Sequence, residues 1–551
     1  MTTMTTTTTF DTPGPGYWQL DRSHYGGGTT LISQWLMTNG CRIGMDRMFK
    51  AMGVPARYLD AQFVHGFMYT RLVPLVDGKP GAKLPPAPVL RAVTRLHPEF
   101  RRRTSAARTC LSERPWRAVI ADWNANRRPA LRARNAELSA VDVGALDDQA
   151  LASHLDRCLE HALECFALHF DLHGYDLGPL GLLLVDARRW GIDASEIIVA
   201  LGGASPSTAA PARQLADLRR AVTATGTRPA SLDELRALSP QIATLVDAYL
   251  DDRGYLVVTG YDVTAQTLAE LPDTFLSTIL DGNEAADEGA HDVSGATAKL
   301  RERVPETERA LFDERLAEAR AALDLRDDNG PNTAQWPVGI VRMALLEAGR
   351  RLAATGRLEA AAHVFELDRD EVVALVRTGT GPSADELAQR AARRRADAAL
   401  VPPDSLGAIE PVPPLAVLPG PLATMIGVVN AVLDELGMTV DETRASMMGI
   451  GVGAATYQGR ACMATDADDA ITRLEPGDVL VVRFTSPSFN VVLPLAGAIV
   501  TAEGGPLSHA AVLARELGLP AVVGVKDVLT VVHDGDQVEV DPVSGRVRVV
   551  A

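Results

Sequence analysis

The chain lacks several of the features that usually classify a protein early. No Cys-x-x-Cys pair occurs, and the five cysteines, Cys41, Cys110, Cys158, Cys165 and Cys462, are scattered and odd in number. A zinc ribbon and a disulfide framework are both poorly supported by that pattern. No run of about 18 apolar residues is present, so no membrane span is expected. Residues 1–9 are nearly all Met and Thr and lack the basic start and apolar run of a signal peptide. An excess of cations is also lacking: 54 Lys and Arg against 70 Asp and Glu give a net charge of -16, and only Arg101–Arg103 and Arg393–Arg395 form basic runs. An acidic surface repels phosphate backbones, so nucleic acid is not an expected partner. A Walker A sequence is also missing. A reducing cytoplasm is the expected location.

What is present reads as globular. With 551 residues, 46% apolar and 23% charged, the chain can build two to four domains with full cores. Residues 1–15 read as a disordered tail ending in a Pro-Gly repeat. From Tyr17 to about Thr378 the pattern is mostly helical. Leu151, Leu155, Cys158, Leu159, Ala162, Phe166 and His169 recur at steps of three and four, as on one face of a helix. Leu311–Leu325 and Arg342–Leu352 behave alike, with breaks expected at Asn329-Gly330 and Gly356. Residues 401–421 are dense in proline, which predicts an extended, semi-stiff hinge linker. Short β-branched runs follow, such as Asp478–Phe484, Gly497–Thr501, Pro520–Val525, Gln537–Asp541 and Arg546–Val550. The expectation is a multidomain protein, with a mostly α-helical domain over 16–400 and an α/β (β/β/α) unit over 422–551.

One segment carries chemistry. After the strand ending at Thr501, Gly504-Gly505 permits a tight turn with exposed backbone N–H groups. Ser508 suits an N-cap, and Ala510, Leu513, Ala514 and Leu517 bury one face of a helix that Gly518 and Pro520 stop. His509 then lies in the first helical turn, where free amides and the positive dipole end stabilise an anion. The same dipole favours the neutral imidazole, a nucleophile towards phosphorus. A phosphoryl group on it is expected to be held by the Gly504 and Gly505 amides and by the Thr501 and Ser508 hydroxyls. The alternative is that His509 merely caps or packs the helix.

Gly504-Gly505-x-Leu507-Ser508-His509-Ala510-Ala511, then Ala514-Arg515-Glu516-x-Gly518-x-Pro520-Ala521-Val522-Val523-Gly524, resembles the signature of the PEP-utilising enzyme mobile domain. That is the swivelling phosphohistidine domain of pyruvate phosphate dikinase, phosphoenolpyruvate synthase and rifampin phosphotransferase. Gly449-Ile-Gly-Val-Gly453, Gln458-Gly-Arg-Ala461, Gly477-Asp-Val-Leu480 and Phe484-Thr-Ser-Pro487 extend the likeness over about residues 445–551. Phe489, where relatives often have Trp, and Pro506 depart from it. The resemblance implies that His509 carries a phosphoryl group between two stations. One charges it from ATP on an ATP-grasp module, and the other holds the acceptor.

Residues 1–400 show neither the Gly-rich loop nor the acidic metal pair of an ATP-grasp domain. ATP and Mg²⁺ are therefore expected on a partner ATP-grasp subunit, with no cofactor bound by this chain directly. Segments such as Tyr17-Trp-Gln-Leu-Asp-Arg-Ser-His-Tyr25 weakly resemble the acceptor-binding domain of rifampin phosphotransferase-like proteins. A carrier without its own ATP-grasp domain resembles the two-subunit phenylphosphate synthase and 4-cresol-phosphorylating enzymes. The implied acceptor is a phenol or similar small alcohol. A rifampin-type phosphotransferase fragment and a PEP- or pyruvate-linked phosphocarrier are the alternatives. A phenol needs a base and cations near its hydroxyl. His24 or His173 is the candidate base, and Arg315, Arg320, Arg326 and Arg342 are candidate cations. His169 and His173, four apart, share a helix face, but with no third ligand in register no metal is expected.

Overall fold

The computed structural model describes residues 9–76, 83–282, 293–437 and 444–550, so residues 1–8 of the expected tail lie outside it. The amino-terminal part is a helical body carrying one small sheet. Strands β1 (Trp18–Leu20), β2 (Ala56–Val64), β3 (Phe67–Pro74) and β4 (Ser405–Leu406) join in the order β2-β3-β1-β4, all antiparallel. Helix α1 (Leu31–Met52) starts at the Thr30 cap and stops at Gly53 in the left-handed conformation. It packs along α2 (Asp148–Arg189), a 42-residue helix capped by Asp147. The approach is close because Gly44 faces α2: a Cβ there would stand 2.3 Å from the Ala167 carbonyl.

The second pillar is α3 (Arg309–Gly330), which passes through a π-helical turn at Pro331–Gln335 into α4 (Trp336–Ala354). The break expected at Asn329-Gly330 does not occur. Pro331 removes one backbone donor, and side chains rejoin the ladder around it: Asn332 Nδ2 donates to Asp328 O (2.7 Å) and Thr333 Oγ1 to Asn329 O (2.6 Å). Such π turns mark insertions that reposition side chains.

Residues 9–16 and 401–421, expected as tail and tether, lie against the body. Phe10 packs on His65 and Phe67, and Trp18 Nε1 donates to Gly14 O. The Pro-rich segment is pinned by β4, by Tyr69 Oη donating to Pro403 O, by the Arg71–Glu410 pair and by Thr94 Oγ1 donating to Val417 O. Helix α5 (Gly420–Leu436) then lays Leu422, Met425 and Val428 on the body, in one cluster with Leu172 and Leu182 of α2. Proline density predicted a stiff strand, and the burial of Leu406 and Val417 anchors it.

The carboxyl-terminal unit holds β5 (Ile450–Val452), β6 (Tyr457–Met463), β7 (Val479–Val482), β8 (Ala498–Thr501), β9 (Ala521–Val523), β10 (Gln537–Asp541) and β11 (Arg546–Val550). Their order is β11-β10-β6-β7-β8-β9-β5, with a parallel centre, β6 to β9, and antiparallel edges. Parallel central strands buried on both faces explain the unbroken Val and Ile runs. The one helix of full length near the site is α6 (His509–Glu516). Leu480, Ile499, Ala510 and Leu513 share an apolar cluster with Leu215, Val246 and Phe275 of the body, so the unit is docked. Among the described residues no helix is long and apolar enough to cross a membrane.

Candidate functional site

Strand β8 delivers the chain to Thr501, and a turn through Gly504 (φ +121°) reverses it into α6. Ser508 is the N-cap, its Oγ accepting from Ala511 N–H. His509 is therefore the first helical residue, and its own amide and that of Ala510 belong to the orphan donors of the first turn. The imidazole is half-buried at the seam with the body. Nδ1 lies 2.9 Å from Thr485 Oγ1, and Nε2 lies 2.9 Å from Asn490 Oδ1. Desolvation, then the Arg326 guanidinium across the seam, push His509 down to about 3, so the ring is neutral at ordinary pH. Of the two neutral tautomers, the one with Nδ1–H donating to Thr485 Oγ1 leaves the Nε2 lone pair for bond formation, with the Asn490 amide turned to donate.

Three of the four expected phosphate ligands, Gly504, Gly505 and Thr501, are placed differently. The Gly504, Gly505 and Leu507 amides donate to the carbonyls of Gly437, Leu436 and Glu435 at the end of α5, at 3.2, 3.0 and 3.1 Å. The turn thus caps a helix C-terminus and does not offer those amides to an anion. Thr501 is wholly buried beneath the turn, and its Oγ1 has no hydrogen-bond partner among the described residues. The partners that do reach His509 are Thr485 and Asn490. Thr485 lies inside a motif segment, yet nothing in the sequence marked its role.

The four candidate arginines separate clearly. Arg342 is buried, bidentate to Glu270 at 2.8 Å and stacked over Phe365. Arg315 pairs with Asp186 at 3.0 Å, and Arg320 donates to Ala200 O at the end of helix Ala194–Ala200. Arg326 is half-buried on α3, has no carboxylate within ion-pair distance among the described residues, and acts electrostatically on His509. It is the one of the four placed at the carrier.

His24 and His173 stand on the body side. His24 Nδ1 lies 3.0 Å from Asp21 Oδ2, and its ring sits against Tyr261. Burial opposes ionisation of both, but the mutual charge outweighs it: His24 is raised and Asp21 is lowered to about 2. Both line a cavity of about 750 Å³ whose opposite wall includes Ser486, Ser488 and Phe489, the segment between Thr485 and Asn490. Tyr261 bonds Ser486 across it. A second cavity of about 150 Å³ lies between Tyr249, Leu256 and Phe275 of the body and Asn490, Val491 and Leu513 of the carrier. His173 faces His169 on α2, with Asp176 behind it.

Residues 474–545 match the family described as PEP-utilising enzyme, mobile domain. The chain is similar to a rifampicin phosphotransferase of Streptomyces sviceus, 29% identical over 335 residues, which are 58% of this chain and 36% of the relative. It is similar to a rifampicin phosphotransferase of a Streptomyces species at 31% over 324 residues, 55% and 34% of the two chains. A probable phosphoenolpyruvate synthase of Pyrococcus abyssi shares 41% over 108 residues, 20% of this chain and 13% of the relative. The chain spans about a third of the length of the rifampicin phosphotransferases it matches.

Proposed function

We propose that this chain is the phosphoryl carrier and acceptor-binding part of an ATP-dependent phosphotransferase working through phosphohistidine. The observation that carries the reading is a neutral His509 at a helix start, docked where the Arg326 guanidinium acts on it electrostatically. In the transfer step the acceptor oxygen attacks phosphorus, the P–Nε2 bond of His509 breaks, and the O–P bond forms. The hydroxyl proton passes to His24, which Asp21 holds through Nδ1. Arg326 neutralises the phosphoryl oxygens as charge builds on them.

Charging requires a second station. Residues 1–400 carry no ATP-grasp signature, so we assign ATP and Mg²⁺ to an ATP-grasp module outside them, towards which the carrier swings. For the acceptor, the 750 Å³ cavity is of the size that takes a drug-sized molecule, and the two Streptomyces relatives are named for phosphorylating a rifamycin. A polycyclic hydroxyl acceptor is the first reading. A phenol is the second, favoured by the 150 Å³ cavity beside Asn490, since a cavity of about 150 Å³ accommodates a benzene ring.

The test combines the chain with an ATP-grasp partner and β- or γ-labelled ATP. An acid-labile phosphoprotein should form on wild type and not on His509→Ala. Incubating the charged protein with rifamycins and with a panel of phenols should move the label to one class. Label that stays on the His509→Ala chain, or acceptor phosphorylation by that variant, overturns the reading.

A further inference from the structure

The site around His169 and His173 has a hydrogen inventory that leaves a space for a cation. The two Nε2 atoms face each other at 3.3 Å. On the far side of one ring, His173 Nδ1 lies 3.0 Å from Asp176 Oδ2, which can only accept, so this nitrogen carries the proton. Asp176 itself is almost fully buried. On the far side of the other, His169 Nδ1 lies 3.0 Å from Thr333 Oγ1. The Thr333 hydroxyl hydrogen is already taken by Asn329, whose backbone O and Oδ1 stand at 2.6 and 2.7 Å. The Asn329 amide is oriented by its Nδ2 donating to His169 O at 3.1 Å. Thr333 Oγ1 therefore accepts from His169 Nδ1–H. Both protons sit on Nδ1, and the two facing Nε2 atoms are left with lone pairs and no proton between them, their rings at 78° to one another.

We propose that His169 and His173 bind one divalent transition metal, of the imidazole-preferring class represented by Zn²⁺ and Co²⁺, between their Nε2 atoms. With metal–nitrogen bonds of about 2.0–2.1 Å, tetrahedral ligation sets two nitrogens about 3.3–3.4 Å apart, the spacing found here. A carboxylate and a hydroxyl on the two Nδ1 atoms are the outer partners that fix ring orientation in metal sites. The i, i+4 placement on α2 puts both rings on one face. Among the described residues no third His, Cys, Asp or Glu completes the set. With two protein ligands, one fewer than catalytic zinc sites hold, the ion leaves its remaining positions to water or to an oxygen of a bound molecule. Arg326, Asn329 and Thr333 follow one another on the α3–π run, so the metal lies within about two turns of the guanidinium that faces His509. A part for it in transfer rests on the proposed function. Its binding does not.

The experiment is titration of the chelator-treated full chain with Co²⁺, read by visible absorption and by competition with a chromophoric chelator. One equivalent should bind. His169→Ala and His173→Gln should each weaken binding at least about 100-fold, and Asp176→Asn about 10- to 100-fold, while the exposed His533→Ala leaves it unchanged. Circular dichroism identifies any variant that fails to fold, and the milder Asp176→Asn then decides. No stoichiometric binding to folded wild type, as a shared proton between the rings would give, overturns the site, as does equal binding by the folded variants. Metal binding that fails while His509 is still phosphorylated sinks this inference alone. The reverse sinks only the carrier reading.

Discussion

The two faces of the proposed transfer site are built in opposite ways. On the carrier side, Thr485, Asn490, Ser508 and His509 lie within 25 residues, set by one turn and one helix start. On the body side, three separate segments contribute: Asp21 with His24, and Tyr261, line the large cavity, and Arg326 acts on His509 from α3. A local constellation leaves its trace in sequence order. A dispersed one does not, so four arginines looked alike until their partners were seen. What distinguishes Arg326 is what it lacks: Arg315, Arg320 and Arg342 each hold a carboxylate or carbonyl of the fold.

The strongest way to break that contrast is Arg326→Ala. If the guanidinium serves the moving phosphoryl group, delivery to the acceptor should fall about 10³-fold, while charging of His509 by the ATP-grasp partner stays near wild type. Equal loss in both half-reactions would make Arg326 structural like the others. Arg342→Ala should behave the opposite way. Removing it leaves the half-buried Glu270 carboxylate with only its Thr267 donors, costing about 3 kcal/mol of stability in urea unfolding. The part of the protein that remains folded should still accept phosphate on His509.

A smaller effect concerns pH. Docked His509 is held at about 3, against an ordinary value of 6.5. An undocked or unfolded ring therefore binds a proton between those values and the docked one does not. Docking is fully favoured above about pH 6.5 and weakens as pH falls from there towards 3, by at most about 1.4 kcal/mol per pH unit. Partial exposure of the ring makes the real slope shallower. Fluorophores on the body and on β11 should move apart as pH drops from 7 to 5, and His509→Asn should flatten that response. An unchanged response in the variant would assign the titration to another group.

The carrier fold was legible because its signals are short-range. The runs at 479–482, 498–501, 521–523, 537–541 and 546–550 became strands, and 509–516 became the helix expected over Ser508–Leu517. The small sheet of the body was not, since β1 is three residues long and finds β3 about 50 residues on and β4 nearly 390 residues on. Asn329-Gly330 read as a break because its repair depends on Asn332 and Thr333 reaching back along the helix. The glycine turn read as an anion nest because the three carbonyls that occupy it belong to the end of α5 and its Gly437 cap, far upstream in sequence, and no local signal pairs the two segments.

Ser508 is where the local reading and the packed one can still be separated. Its Oγ accepts from Ala511 N–H at 3.4 Å, a long cap bond, and the same hydroxyl stands one residue before His509. As a cap alone, Ser508→Ala should cost about 1 kcal/mol of stability and leave the lifetime of the phosphohistidine untouched. As a ligand of the phosphoryl group, it should cost little in stability, and the phosphorylated protein should hydrolyse several-fold faster. Denaturant unfolding and decay of the labelled phosphoprotein, measured on one preparation, distinguish the two. We expect the first, because a hydroxyl that satisfies an orphan helix donor has already given up one of its lone pairs, and the amides of His509 and Ala510 are nearer to hand for the anion.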